Sequence, residues 1–219
     1  FNIVFYKKGK NMPPKVNFDR DEIIHAGIEV VRKLGPHAIT TRNIAREMGG
    51  STQPIYRVFE TIETLEAAII RKAEEEAIKV MVNYNEDNRH FLSIGLGYFH
   101  FALHEPHLFK LVYMSETKPL FFSKDNDLRE QLLNKMKEDK DLQNFSDETL
   151  HNLIRDMSIF SHGICTAFLI SKDERIKNEY KEMLINMGFK LITYEHLKLN
   201  NIINEDEIKR RIHNEHNNS

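Results

Sequence analysis

The 219-residue chain is 41% hydrophobic and 29% charged with a net charge of −2, which excludes a disordered segment and a wholly basic nucleic-acid binder. The charge is uneven: residues 1–72 hold 12 Lys and Arg against 8 Asp and Glu, a net of +4, and the remainder holds 19 against 25, a net of −6, so two parts with different partners are expected. Cys165 is the only cysteine, which fits a reducing, cytoplasmic setting and a small buried hydrophobe, and no uninterrupted apolar run reaches the ~18–20 residues of a membrane span, so no membrane partner is expected.

In chain order, the start "FNIVFYKKGKNMPPK" has too short an apolar part for a signal peptide. Met12 is a candidate natural start, and residues 1–14 are expected to be a disordered or appended basic arm whose Lys7, Lys8 and Lys10 are able to touch DNA. Asp19 with Glu22 three residues later has the capping-box pattern. Ile23, Ala26, Val30 and Leu34 then repeat at helical spacing until Gly35 and Pro36 stop the helix. Thr40 is placed to cap a second helix over 41–48 that Gly49 ends, Ser51 to cap a third, and Thr61 to cap a fourth reaching about residue 82.

After the polar break "NYNEDN", a fifth helix is predicted over 89–104. Pro106 opens a sixth to about 114. A seventh over 126–138 follows the loop "SETKPLFFSKD". Ser146 opens a long apolar eighth helix to about 171, and a ninth covers 173–198. The tail holds one more short candidate, "EDEIKRRIH". No two-residue alternation occurs, so the expected class is all-α. The expected layout is a helix-turn-helix domain over 15–66, a larger helical bundle over 67–200 and a polar tail over 201–219.

Two short helices joined by a glycine turn after a longer helix describe a helix-turn-helix. Ala45 is small enough for a close helix crossing, and Gly49 tolerates the positive φ of the turn. Pro54 falls in the first turn of the third helix, where a missing N–H is harmless. Ile55, Val58 and Phe59 are then expected inside, with Thr52, Gln53, Tyr56 and Arg57 outside. Glutamine pairs with adenine edges and threonine with the thymine methyl or a base acceptor, while tyrosine and arginine reach phosphates or guanine.

The run "IIHAGIEVVRKLGPHAITTRNIAREMGGSTQPIYRVFETIETLEAAI", residues 23–69, resembles the N-terminal domain of the tetracycline-repressor-like (TetR) regulators. "ALHEPHLFKLVY" and "SHGICTAFLI" resemble later segments of that family, in the same order. The resemblance implies an all-α homodimeric repressor that binds palindromic double-stranded operator DNA and is released by a small apolar or amphipathic effector. By position it makes Tyr56 a phosphate contact and puts Thr52 and Gln53 on the base-reading turn beside Ser51 and Arg57. It places Thr41 and Arg42 where the second helix meets the DNA backbone. There are two departures. Gly50 replaces a small apolar residue, which is expected to loosen the turn. Ile62 replaces a lysine aimed at a phosphate. The free N–H groups there, helped by Thr61 or Thr64, are expected to hold phosphate instead, with about one phosphate contact fewer.

The resemblance also implies an effector pocket among helices four to eight. Tyr98, Phe101, His104, Tyr113, Phe122, Met157 and Phe160 are its candidate lining, chosen from the aromatics and methionines of that region. Helices eight and nine would form a dimer interface, with Gly163, Ala167, Tyr180, Leu184, Met187 and Leu191 as its candidates and Tyr194 extending the stripe. No cofactor, metal or catalytic set is expected. The alternatives are a helical-bundle enzyme or metal-binding protein using His100, His104 and His162, and a regulator controlled by a protein partner.

Overall fold

The computed structural model describes residues 18–85, 89–114, 127–171 and 173–210. Lys7, Lys8, Lys10, Met12 and Phe122 lie outside them. The described residues are helical throughout, without a strand, as the sequence predicts. The chain divides into two compact units, Phe1–Ile69 and Ile70–Ser219, with the division inside the fourth helix.

The first unit contains α1 (Arg20–Leu34), α2 (Thr41–Glu47), α3 (Gln53–Val58) and the first part of α4 (Ile62–Asn83). The capping box forms: Glu22 N–H donates to Asp19 Oδ1 at 2.8 Å and Asp19 N–H to Glu22 Oε2 at 2.9 Å. At the other end Gly35, at φ +89°, returns its N–H to the Val31 carbonyl at 2.8 Å. Ile23, Ile28 and Val31 of α1, Ile44 of α2, Ile55 of α3 and Leu65 and Ile69 of α4 are buried. Each such side chain contributes roughly 1.5–3 kcal/mol when fully withdrawn from water.

The second unit contains the rest of α4 with α5 (His90–His104), α6 (Pro106–Tyr113), α7 (Asp127–Lys137), α8 (Asp147–Ser171) and α9 (Lys177–Leu199). Helix α5 is its centre. Every residue from Phe91 to Phe99 is buried, as expected of a helix that is apolar on all sides. Helices α6, α7, α8 and α9 each pack against it. Its N-terminus has no cap of its own. Instead the buried Asp139 carboxylate, 48 positions away, accepts from Phe91 N–H at 3.4 Å.

Helix α8 passes, by length and composition, for a membrane span, against the expectation that no segment would. The apolar character has another use, because Leu150, Leu153, Ile154, Met157, Ile164, Cys165 and Phe168 bury it inside the unit. Helix α9 starts at Lys177, later than predicted. The Asp173 side chain takes the Arg175 N–H at 3.0 Å and holds a turn ahead of the helix. Its end is closed by Asn201 at φ +54°, with Ile202 N–H on the Leu197 carbonyl at 2.9 Å.

Helices α4 and α5 approach closely at Gly97. A Cβ there would lie 2.8 Å from Met81 Cα and 2.9 Å from Tyr84 Cβ, so a larger residue has to push backbone, not a pliable side chain. Gly97→Ala is therefore expected to destabilise the chain by about 1–3 kcal/mol, read as a lower urea midpoint at unchanged slope. An unchanged midpoint would mean the two helices are not packed this tightly.

Candidate nucleic-acid interface and interior cavity

In the first unit, α2 begins with a side-chain cap, Asn43 N–H donating to Thr40 Oγ1 at 3.1 Å. It ends in a Schellman turn: Gly49, at φ +67°, donates to the Arg46 carbonyl at 3.1 Å and Gly50 to the Ala45 carbonyl at 2.9 Å. The Phe18 ring covers Gly50, since a Cβ on Gly50 would meet its Cε2 at 3.3 Å. Phe18 thus occupies the space for which a small apolar residue was expected, and it explains why a glycine suits this position.

Ser51 does not cap α3. The preceding turn delivers Thr52 already in helical geometry, φ −74° and ψ −13°, and no side chain caps the helix. The Thr52 carbonyl takes the Ile55 and Tyr56 N–H groups at 3.1 and 3.3 Å. Gln53 and Pro54 are therefore the first two helical residues, one position later than expected.

Ile55 and Phe59 are buried, while Ser51, Gln53, Tyr56 and Arg57 are exposed and Thr52 is half-buried. Tyr56 is 60% exposed despite its size. Its hydroxyl lies 3.3 Å from Thr41 Oγ1, so the start of α2 and the middle of α3 share one polar patch. Arg42 is exposed next to Thr41.

The start of α4 differs from the expectation. Thr61 and Thr64 bond reciprocally, Thr64 N–H to Thr61 Oγ1 at 3.2 Å and Thr61 N–H to Thr64 Oγ1 at 3.3 Å. Thr64 Oγ1 also donates to the Thr61 carbonyl at 2.8 Å, which uses its proton. Glu63 then takes the anion position. Its own backbone N–H, and next the Thr61 hydroxyl, hold its carboxyl below the usual range. An internal carboxylate already sits where Thr61, Thr64 and the free N–H groups were expected to receive a phosphate.

In the second unit a cavity of about 30 Å³ is lined by Met81 of α4, Phe91, Ile94, Gly95 and Tyr98 of α5, Leu132 of α7, and Ile154, Met157, Ser158 and Ser161 of α8. Tyr98 and Met157 were expected there. Phe101 and Tyr113 are instead buried in the packed core, Phe160 is half-buried, and His104 is exposed, so none of these four lines it. Nothing in the sequence pattern points to Gly95 or Ser161, whose place depends on which side of an apolar helix faces the void.

Beside the cavity, the Tyr98 ring packs edge-on against Tyr113 at 4.9 Å and Phe109 at 5.2 Å. The Tyr98 hydroxyl lies 3.1 Å from His162 Nδ1, and Thr166 Oγ1 lies 3.4 Å from Nε2. Burial holds the Tyr98 phenol well above its ordinary range and the His162 ring below its own. His100 is also lowered, by burial first and then by His104 and Lys177. Its ring stacks on His104 at 3.9 Å. No group of three His, Cys, Asp or Glu side chains suited to a metal occurs among the described residues, so His100, His104 and His162 do not assemble into one.

On α8, Ile159, Gly163, Ala167 and Ile170 recur on one exposed face, with Ile170 76% exposed and open space beside Gly163. On α9, Met183, Phe189 and Tyr194 are exposed. Phe189 and Tyr194 border an open groove of about 510 Å³ with Asn186, Lys190, Thr193 and Leu197. Leu184, expected on the dimer face, is buried inside its own chain; Tyr180, Met187 and Leu191 are half-buried. Of the predicted stripe only Tyr194 is exposed, and Gly188 faces inward, against Leu92.

Because burial favours neutral His162 and His100, the unfolded chain binds protons more readily than the folded one below the ordinary histidine value of 6.5. Their contribution is complete above that value and is lost as pH falls. Urea midpoints should therefore drop between pH 7.5 and 5.5, and His162→Gln should flatten the dependence. A steeper dependence in that variant would mean that protonated His162 stabilises the folded chain.

No protein-family model matches the chain, and no curated protein matches it. Solved structures do. A single-residue variant of TetR from Acinetobacter baumannii AYE, in complex with minocycline, superimposes with a TM-score of 0.58 at 17% identity, covering 82% of this chain and 98% of that one. A tetR-family transcriptional regulator from Streptomyces coelicolor superimposes with a TM-score of 0.57 at 16% identity, covering 78% and 79%. At such identities the likeness establishes architecture: this all-α chain has the fold of the TetR-family transcriptional regulators.

Proposed function

We propose that this chain is a dimeric, ligand-responsive transcriptional repressor that reads a palindromic operator through α3. The reading is carried by one observation: a Schellman turn presents an exposed α3, with Gln53 on its first turn and Tyr56 beside Thr41. That this unit belongs to a TetR-type fold supports it. Gln53 and Thr52 read base edges; Tyr56, Thr41 and Arg42 hold phosphates. Two copies pair through the exposed apolar rows of α8 and α9, which sets their recognition helices about 34–36 Å apart, one turn of DNA. An effector in the second unit favours a dimer with another spacing, and the operator is released. The shift is limited by the effector's affinity difference between the two states. Such a protein acts in the cytoplasm and has no catalytic role.

The experiment is a fluorescence-anisotropy titration of the chain against duplexes from its own promoter region, with random DNA as competitor. Preferential binding to one palindrome is expected, and equal binding to all duplexes would sink the reading. Tyr56→Phe should weaken every duplex alike, whereas Gln53→Ala should change which sequence is preferred. Uniform losses in both would contradict this division of labour.

Glu63 supplies an independent check. Removing its charge at the α4 N-terminus takes away the anion that repels a phosphate there. Glu63→Gln is expected to tighten DNA binding several-fold and steepen the salt dependence by about one phosphate contact. Weaker binding would show that this terminus stays away from the DNA.

A further inference from the structure

Ser161 Oγ, on the cavity side of α8, is buried and has no hydrogen-bond partner among the described residues; the residue is 2% exposed. A buried hydroxyl in that state is unfavourable until something completes it. Water would be only weakly held there. The cavity, at about 30 Å³, has room for a water. A buried water needs two to four polar partners, and the Tyr98 hydroxyl in the wall is already engaged by His162. That leaves Ser161 and Ser158, the minimum for one water, in a lining otherwise apolar among the described residues.

Among the described residues no charged side chain lines the cavity, so an ionised occupant would be left without a partner charge. The size can change. Met157 Cε lies where a Cβ on Gly95 would be 3.2 Å from it, and Ser161 Oγ is 3.9 Å from the same point. Met157 is therefore folded over the bare face of Gly95, next to the orphan hydroxyl. Methionine is unbranched and repacks readily. Swinging it aside joins the space over Gly95 to Ser161. A cavity of about 150 Å³ holds a benzene-sized molecule, so roughly a five-fold expansion is required.

We propose that this cavity is the effector site, and that it takes a compact, uncharged, mainly apolar molecule with a single hydrogen-bonding group. The polar group bonds to Ser161 Oγ, and the apolar body replaces Met157 over Gly95. Phenol is the simplest molecule of this class. The proposal rests on the reading that the second unit binds an effector, and it adds the ligand's chemistry and its anchor.

The test uses the full chain and three probes of one size: phenol, toluene and benzoate, by calorimetric titration and thermal shift. Phenol is expected to bind and raise Tm, toluene to bind at least tenfold more weakly, and benzoate to produce no shift. Ser161→Ala should erase the difference between phenol and toluene while leaving toluene unchanged. Gly95→Ala should weaken both, because its Cβ holds the space that the apolar body needs. The wild-type panel stands even if a variant fails to fold. Absent phenol binding, benzoate binding as tightly as phenol, or a phenol preference that survives Ser161→Ala overturns the proposal. If phenol does not bind but a palindrome does, the ligand class fails and the DNA reading stands. If phenol binds and no sequence is preferred, the DNA reading fails and the site stands.

Discussion

The first unit of this protein depends on two backbone hydrogen bonds that close α2, Gly49 N–H to the Arg46 carbonyl and Gly50 N–H to the Ala45 carbonyl. They require one residue at positive φ, and Gly49 accepts it without the roughly 1–2 kcal/mol cost borne by a side chain. Because the turn is closed by backbone, it also sets the starting geometry of α3. Thr52 enters already helical, Ile55 points into the core, and Gln53 and Tyr56 are left outside. Phe18 lies over Gly50 and braces the same turn from the chain segment that precedes α1.

Charge near this surface is arranged less simply than the net of +4 over residues 1–72 implies. Lys33 is paired with Glu47, and Glu63 occupies the α4 N-terminus. With Ile62 in place of a lysine, the unit offers fewer positive groups to the DNA of the proposed function than the resemblance alone would suggest. On that proposal, part of its discrimination comes from hydroxyl and amide groups such as Thr41, Gln53 and Tyr56. These lose less with salt than ion pairs do.

The helices were largely legible in the sequence because their ends carry local chemistry: Asp19 with Glu22, Thr40, Pro106 and Ser146 act within three or four residues of where they stand. The start of α3 was not legible, since Ser51 looks like a cap in isolation and the turn before it decides otherwise. The cavity was legible only at Tyr98 and Met157. Helix α5 is buried on every side, so no polar face tells which residues meet the void. Phe101 and Tyr98 read alike, and only packing separates them. On α9, Gly188 fits against Leu92 and turns Leu184 inward, which an apolar periodicity allowing either of two faces does not reveal.

The cavity walls differ in stiffness, and this bears on how an occupant would act. On the α4–α5 side, Gly97 brings backbone against backbone at Met81, so those two helices resist sliding apart. On the α8 side, the nearest atom over Gly95 is the methyl end of a methionine. An occupant therefore displaces Met157 first and strains α8 before it strains the α4–α5 pair. Helix α8 carries Ile159, Gly163, Ala167 and Ile170 on its opposite, exposed face, the row proposed to meet a second copy. On that proposal, filling the cavity acts on the dimer seam through a single helix, since one face of α8 holds the orphan hydroxyl and the other holds the partner. The spacing between two DNA-reading heads would then change without any rearrangement of the Gly49–Gly50 turn.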